Sequence, residues 1–264
     1  MSKLRFLAAA SFFVALTAAC SDDDTGSQEA PAVDAGTDAA PDPGRSDADP
    51  PEIDAGREGG QEQTCTAAAE QLLQPIDSVS TGEVTELGTD GDITTVFVDA
   101  SAGGTAGASS NPRLYVSLAS RSRVDVTDKT AGTSAAWDLA LKRAVLFTNG
   151  GHGGSGQGEA AFLPGKEIAE VTAADATSAT FRQEVFFDAE CNPQTDEAGA
   201  VRTSFDGWYD YELATHAVTP KLGTWLVKGA TGQLFKVQIM TYTGLPDGGI
   251  GMSGGRYVLK VGAL

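Results

Sequence analysis

Short stretches that alternate apolar and polar side chains, separated by glycine-rich turns, recur between residues 94 and 261 and restrict this chain to β-architectures. Residues 235–239 (Phe235, Lys236, Val237, Gln238, Ile239) alternate strictly. Residues 94–98 follow the pattern less strictly, residues 122–127 place Val124 and Val126 on one face, and residues 179–187 and 256–261 read as further strands. Trp225, Leu226, Val227 and Lys228 lead through Gly229, Ala230, Thr231 and Gly232 to Leu234, a hairpin whose glycines supply positive φ. Only Thr66–Leu73 is a good helix candidate, as a short alanine-rich turn or two. The expected fold is all-β, an antiparallel sandwich or open barrel with little helix. About 200 residues are enough for one sizeable core.

A different kind of sequence precedes that domain. Lys3 and Arg5 form a basic start, residues 6–16 an apolar run, and Ala18 and Ala19 lead into Cys20. This is a secretory signal over residues 1–19, too short for a stable membrane span. Cys20 resembles the lipidated cysteine of a bacterial lipobox, with Thr17 standing where that pattern prefers leucine. The alternative is an ordinary cleaved signal beside a coincidental cysteine. Residues 21–63 carry 13 acidic residues against Arg45 and Arg57 and have hardly any large apolar side chain. Such a stretch cannot offset its ordering entropy and reads as a disordered tether, with a coil dimension of roughly 35 Å. Its aspartates lack the spacing and closing glutamate of a calcium loop. The divisions expected are therefore 1–19, 20–63 and 64–264.

Charge excludes one class of partner. The chain carries −18 overall and residues 64–264 retain −9, which argues against nucleic acid because phosphate contacts need a basic stripe. If Cys20 takes lipid, Cys65 and Cys191 remain as an even pair in an oxidising compartment, and a disulfide is expected. Free thiols or a metal pair are the other options, without further ligands at metal-site spacing.

Two motifs suggest chemistry. Residues 150–158 (Gly150, Gly151, His152, Gly153, Gly154, Ser155, Gly156, Gln157, Gly158) resemble a phosphate loop, yet the segment that follows is too short for the helix such a loop must open. They are expected to form a wide, flexible turn whose backbone a ligand can reach. Residues 251–255 match Gly-x-Ser-x-Gly around Ser253, but no histidine follows. A glycine-rich hairpin turn accounts for the match, so a non-catalytic protein is expected and a serine hydrolase is the third reading.

Further signatures occur in a fixed order: Trp137, Asp138, Leu139, Ala140; Thr148, Asn149 and the glycine run; Gly207, Trp208, Tyr209, Asp210, Tyr211 with His216 and Pro220; and Gly232 to Val237 continuing to Tyr242. This series resembles the HmuY family of haem-binding bacterial outer-membrane lipoproteins over roughly residues 80–264. The resemblance implies an all-β domain that captures haem at a cell surface for iron acquisition. It also implies a lipid anchor in the outer membrane and an outer-membrane haem transporter as partner. His216 and His152 are the only histidines and the candidate axial ligands, with Met252 in a turn as a further donor. Tyr209 and Tyr211 are candidates to line the slot, with Trp208, Trp225 and Tyr242 as further aromatics. Trp137 and Trp225 are expected in the core, as is Met240 on its alternating strand. Arg143, Lys142 or Lys221 could meet a propionate, although solvated charge is the default. The alternative function is a surface adhesion or structural module that keeps the fold without a haem site.

Overall fold

In the computed structural model, residues 65–196 and 199–264 are described. The signal, Cys20 and the tether lie outside the described residues. Helix α1 (Thr66–Leu73) is followed by β1 (Val84–Asp90), β2 (Ile93–Asp99), α2 (Gly104–Gly107), β3 (Leu114–Ser117) and β4 (Ser122–Val124). Next come α3 (Asp128–Ala131), β5 (Leu139–Lys142), β6 (Val145–Thr148), β7 (Glu159–Pro164) and α4 (Ala173–Ser178). The chain ends with β8 (Tyr209–Glu212), β9 (Ala217–Pro220), β10 (Gly223–Lys228), β11 (Leu234–Thr241) and β12 (Arg256–Ala263).

The strands form a six-stranded sheet in the order β1-β2-β12-β11-β10-β7, a four-stranded sheet β4-β3-β5-β6, and the separate β8–β9 ribbon. Every strand pairing within them is antiparallel. Register follows the apolar pattern. Val96 pairs with Leu259 and Leu259 with Ile239, while Val261 pairs with Val237 and Val237 with Trp225. These residues share one face and pack with Leu114, Val116, Leu139, Leu141 and Leu146 of the smaller sheet in the main core. Each such side chain contributes roughly 1.5–3 kcal/mol by leaving water.

Two outer faces are also covered. Tyr115, Ala140 and Phe147 project from the smaller sheet onto Trp137, Phe186 and Phe187, with Val124, Val126 and the apolar side of α1 at the margin. Ala161, Leu163 and Leu226 of the larger sheet are covered by Val171, Ala176 and Phe181. Cys65, which precedes α1, is disulfide-bonded to Cys191, 126 positions along the chain. No helix among the described residues is long and apolar enough to cross a membrane.

The fold corrects several expectations. Residues 179–187 form no regular strand and contribute only isolated bridges, Arg182 to Ala160 and Phe187 to Pro193. The alternation is present, since Glu184 and Phe186 are buried and Val185 is exposed. However, the N–H groups of Phe186 and Phe187 converge on one nitrogen of His152, which no ladder partner could match. The strand expected over 122–127 stops at Val124, because Thr127 caps α3 through a hydroxyl that accepts from Thr130 N–H. Met240 is 45% exposed and outside the core. It lies at a β-bulge where the β11–β12 register skips a residue, and that ends the alternation.

The glycine loop is the largest correction. It is closed onto the protein, where a flexible turn was expected. Asn149 is fully buried and its side-chain amide donates to the carbonyls of Ser134 (2.7 Å) and Trp137 (2.9 Å). Its side-chain oxygen accepts from Gly156 N–H at 3.1 Å, and its carbonyl accepts from Gly158 N–H at 2.7 Å. A Cβ on Gly158 would lie 2.6 Å from the Asn149 carbonyl carbon, so the glycines allow backbone to pack on backbone.

Candidate ligand-binding site

The β8–β9 ribbon pairs Tyr209 with Pro220, Tyr211 with Val218 and Glu212 with Ala217. Its base is anchored by Trp208, a buried indole that donates to the Ala144 carbonyl at 3.0 Å. Tyr209 and Val218 lean into the main core, whereas Tyr211 is 49% exposed. His216 closes the turn at φ 57°, a left-handed conformation that favours glycine. There its Nδ1 lies 2.6 Å from the Tyr211 hydroxyl.

The two histidines differ in what their partners permit. A hydroxyl can donate or accept, so His216 can direct an Nδ1 proton at Tyr211 and leave Nε2 as an open lone pair. His152 lacks that choice. Its Nδ1 accepts from Phe186 N–H at 2.9 Å and Phe187 N–H at 3.3 Å. Backbone N–H groups only donate, which puts the proton of the neutral ring on Nε2. In this arrangement His152 has no lone pair to offer a metal. Its ring lies against Phe186 and Phe187, with centroids 6.3 and 5.6 Å away, and not among the hairpin residues.

A ring cluster connects the ribbon to the β11–β12 loop. Trp208 contacts Tyr209 (4.7 Å between centroids), Tyr242 (5.8 Å) and Tyr257 (5.6 Å). Burial pushes the hydroxyls of Tyr242 and Tyr257 upward in pKa, which keeps them neutral. Gly254 fits because it has no side chain: a Cβ there would be 2.4 Å from the Tyr242 ring. Beside it lies a cleft of about 500 Å³ lined by Met252, Ser253, Arg143, Arg256, Thr105 and neighbouring backbone. Met252 is 99% exposed at this cleft. The structure thus joins Tyr209 to the ring cluster, Tyr211 to His216, and Met252 to the adjoining cleft, while His152 belongs elsewhere.

Arg143 is the one of the three cations considered from sequence that lines the cleft. Lys142 is half-buried and has its pKa lowered, first by burial and then by nearby Arg113. Lys221 lies 3.7 Å from Asp210. Sequence reasoning missed Arg256, since a cation at the start of a strand carries no local signal. Ser253 has no hydrogen bond to either histidine, whose ring partners are Tyr211 and the backbone of Phe186 and Phe187. Among the described residues no group of three or more His, Cys, Asp or Glu converges to hold a bare metal ion.

The family model for HmuY protein matches residues 109–252, more than half of the chain. The chain belongs to the HmuY family. The HmuY match begins before β3 and ends at Met252, so it contains both histidines, Arg143 and the β8–β9 ribbon but not β12. Among solved structures, a lipoprotein candidate from Bacteroides fragilis is similar at 14% identity, with 67% of this chain and 91% of that chain covered and a TM-score of 0.40. An HmuY-like haem-binding candidate from Bacteroides vulgatus is similar at 14% identity, with 67% and 95% covered and a TM-score of 0.41. The apo HmuY analogue of Tannerella forsythia shares 16% identity, with 72% and 94% covered and a TM-score of 0.31. No curated protein matches.

Proposed function

We propose that this HmuY-family chain binds haem at the cell surface without chemical turnover. In this reading Cys20 carries the lipid anchor, the acidic tether spans residues 21–63, and residues 64–264 form the capture domain. His216 supplies an axial nitrogen, Met252 is the second candidate donor, and Tyr209 and Tyr211 line the slot. The Tyr211–His216 pair carries the proposal: an exposed imidazole is held in a left-handed turn by a group that can orient its Nε2 outward. Costly backbone at a loop tip is characteristic of functional sites. His152 acts as a structural residue. Iron acquisition, an outer-membrane location and transfer to a haem transporter complete the reading.

Hemin titration of the purified protein tests it. A saturable, shifted Soret band at one equivalent is expected, and His216→Gly should abolish that shift while keeping the hairpin, since glycine suits the left-handed position. An unchanged spectrum and affinity in His216→Gly would remove His216 from the site. A band that grows without saturation in the wild type would favour the surface-module alternative.

A further inference from the structure

The cleft beneath Met252 has an uneven charge lining. Among the described residues, Arg143 and Arg256 are the only charged ones that line it, in a domain with a net charge of −9. The larger cleft, of about 560 Å³, differs in setting Asp188 and Asp206 against Arg182 and Arg202. Its charges balance. Those of the Met252 cleft do not.

Arg143 is also held in a conformation that its side chain disfavours. Lys142 pairs with Val145, so Arg143 and Ala144 form a two-residue hairpin turn, and Arg143 has φ 53°. Glycine is the usual residue at a positive-φ turn position. Surrounding groups fix this arginine through both backbone and guanidinium. Its N–H donates to the Ala100 carbonyl at 2.9 Å, and its carbonyl accepts from the Tyr257 hydroxyl at 2.6 Å. Nη1 donates to the Gly254 carbonyl at 2.9 Å and Nη2 to Thr105 Oγ1 at 3.2 Å. The fork therefore joins α2 to the loop that carries Met252. Arg256 stands opposite the start of that loop, with Nε 3.3 Å from Asp99 Oδ2. Asp99 in turn accepts from Ser101 N–H at 3.0 Å, so its charge is shared with backbone.

We infer that Arg143 and Arg256 form a carboxylate-recognition subsite that selects tetrapyrroles with free acid side chains over esterified ones. The inference rests on the haem reading only in taking a tetrapyrrole as the ligand. A planar guanidinium pairs well with carboxylate, and esterification removes both the charge and one acceptor geometry.

The test omits iron. Metal-free protoporphyrin IX and its dimethyl ester are titrated against the full chain, with binding followed by quenching of tryptophan fluorescence. The free acid should bind at least about ten-fold more tightly, equivalent to a 1.4 kcal/mol difference. Arg143→Gly relieves the turn and should keep the unfolding midpoint near wild type while reducing that preference to within about two-fold. Arg256→Gln, which leaves the turn untouched, should reduce it in part. Equal affinity for acid and ester in the wild type would overturn the subsite, as would no saturable binding of the acid or a preference that survives both substitutions. Axial ligation plays no part here. A failed hemin Soret shift beside an intact acid preference would therefore sink the haem-ligation reading and leave the subsite standing.

Discussion

Glu184 shows how much one side chain can organise here. It is 1% exposed and has no cationic partner among the described residues, yet its carboxylate accepts four hydrogen bonds. Oε1 takes Thr148 N–H at 2.7 Å, Thr148 Oγ1 at 2.9 Å and Ser204 Oγ at 2.5 Å, while Oε2 takes Ser204 N–H at 2.7 Å. Burial outweighs these donors and raises the carboxyl above its usual range. The folded state then binds this proton at higher pH than the unfolded chain does. Stability from this group should decline as pH rises from the ordinary carboxylate value through the raised one. Asp175 has the opposite sign: Lys166 lowers its pKa to about 2, so its contribution fades as pH falls toward that value. Comparing urea unfolding of wild type and Glu184→Gln across pH isolates the Glu184 component, and the variant should lack the decline. At neutral pH the substitution should cost about 1–3 kcal/mol, because an amide NH2 must face a backbone N–H or leave it unpaired. An unchanged pH profile in the variant would refute this assignment.

At the scale of elements, the strands that were legible are those whose pattern and pairing coincide. Helix α1, β2, β11, β12 and the β10–β11 hairpin lie where alternation and turn chemistry place them. The four- and six-residue helices α2, α3 and α4 were not legible, because they are too short for a 3.6-residue period and rest on caps and packing. The glycine loop carries a prediction of its own. Gly158→Ala should destabilise the protein by several kcal/mol at the upper end of core substitutions, since its Cβ would meet backbone on Asn149 and not a movable side chain. Thermal unfolding decides the matter, and a midpoint equal to wild type would show that the loop opens without cost. Any loss should leave the hemin spectrum of the remaining folded protein intact, because the loop's contacts run to Asn149, Ala230 and Glu184.

For the whole molecule, the Cys65–Cys191 bond fastens the start of the described chain to the segment beside Phe186 and Phe187. Closing a loop of 126 positions contributes roughly 4–5 kcal/mol in the chain-entropy model. Replacing both cysteines with serine should lower stability toward that extent in guanidinium unfolding, and identical curves would refute a stabilising role. The sequence by itself determined the β-class, the main hairpin, the helix beside Cys65 and, with Cys20 set aside in the signal region, the cysteine pair, because local periodicity, turn residues and the two cysteines left in the domain encode them. Tertiary structure alone decided the environments of the two histidines, the closure of the glycine loop and the placing of Arg143 and Arg256 around one cleft. These depend on contacts between distant positions: His152 meets Phe186 across 34 residues, and Arg143 meets Gly254 across 111. A pattern of neighbours along the chain reports which face a side chain takes. Which donor or acceptor it meets there is set only when the sheets pack.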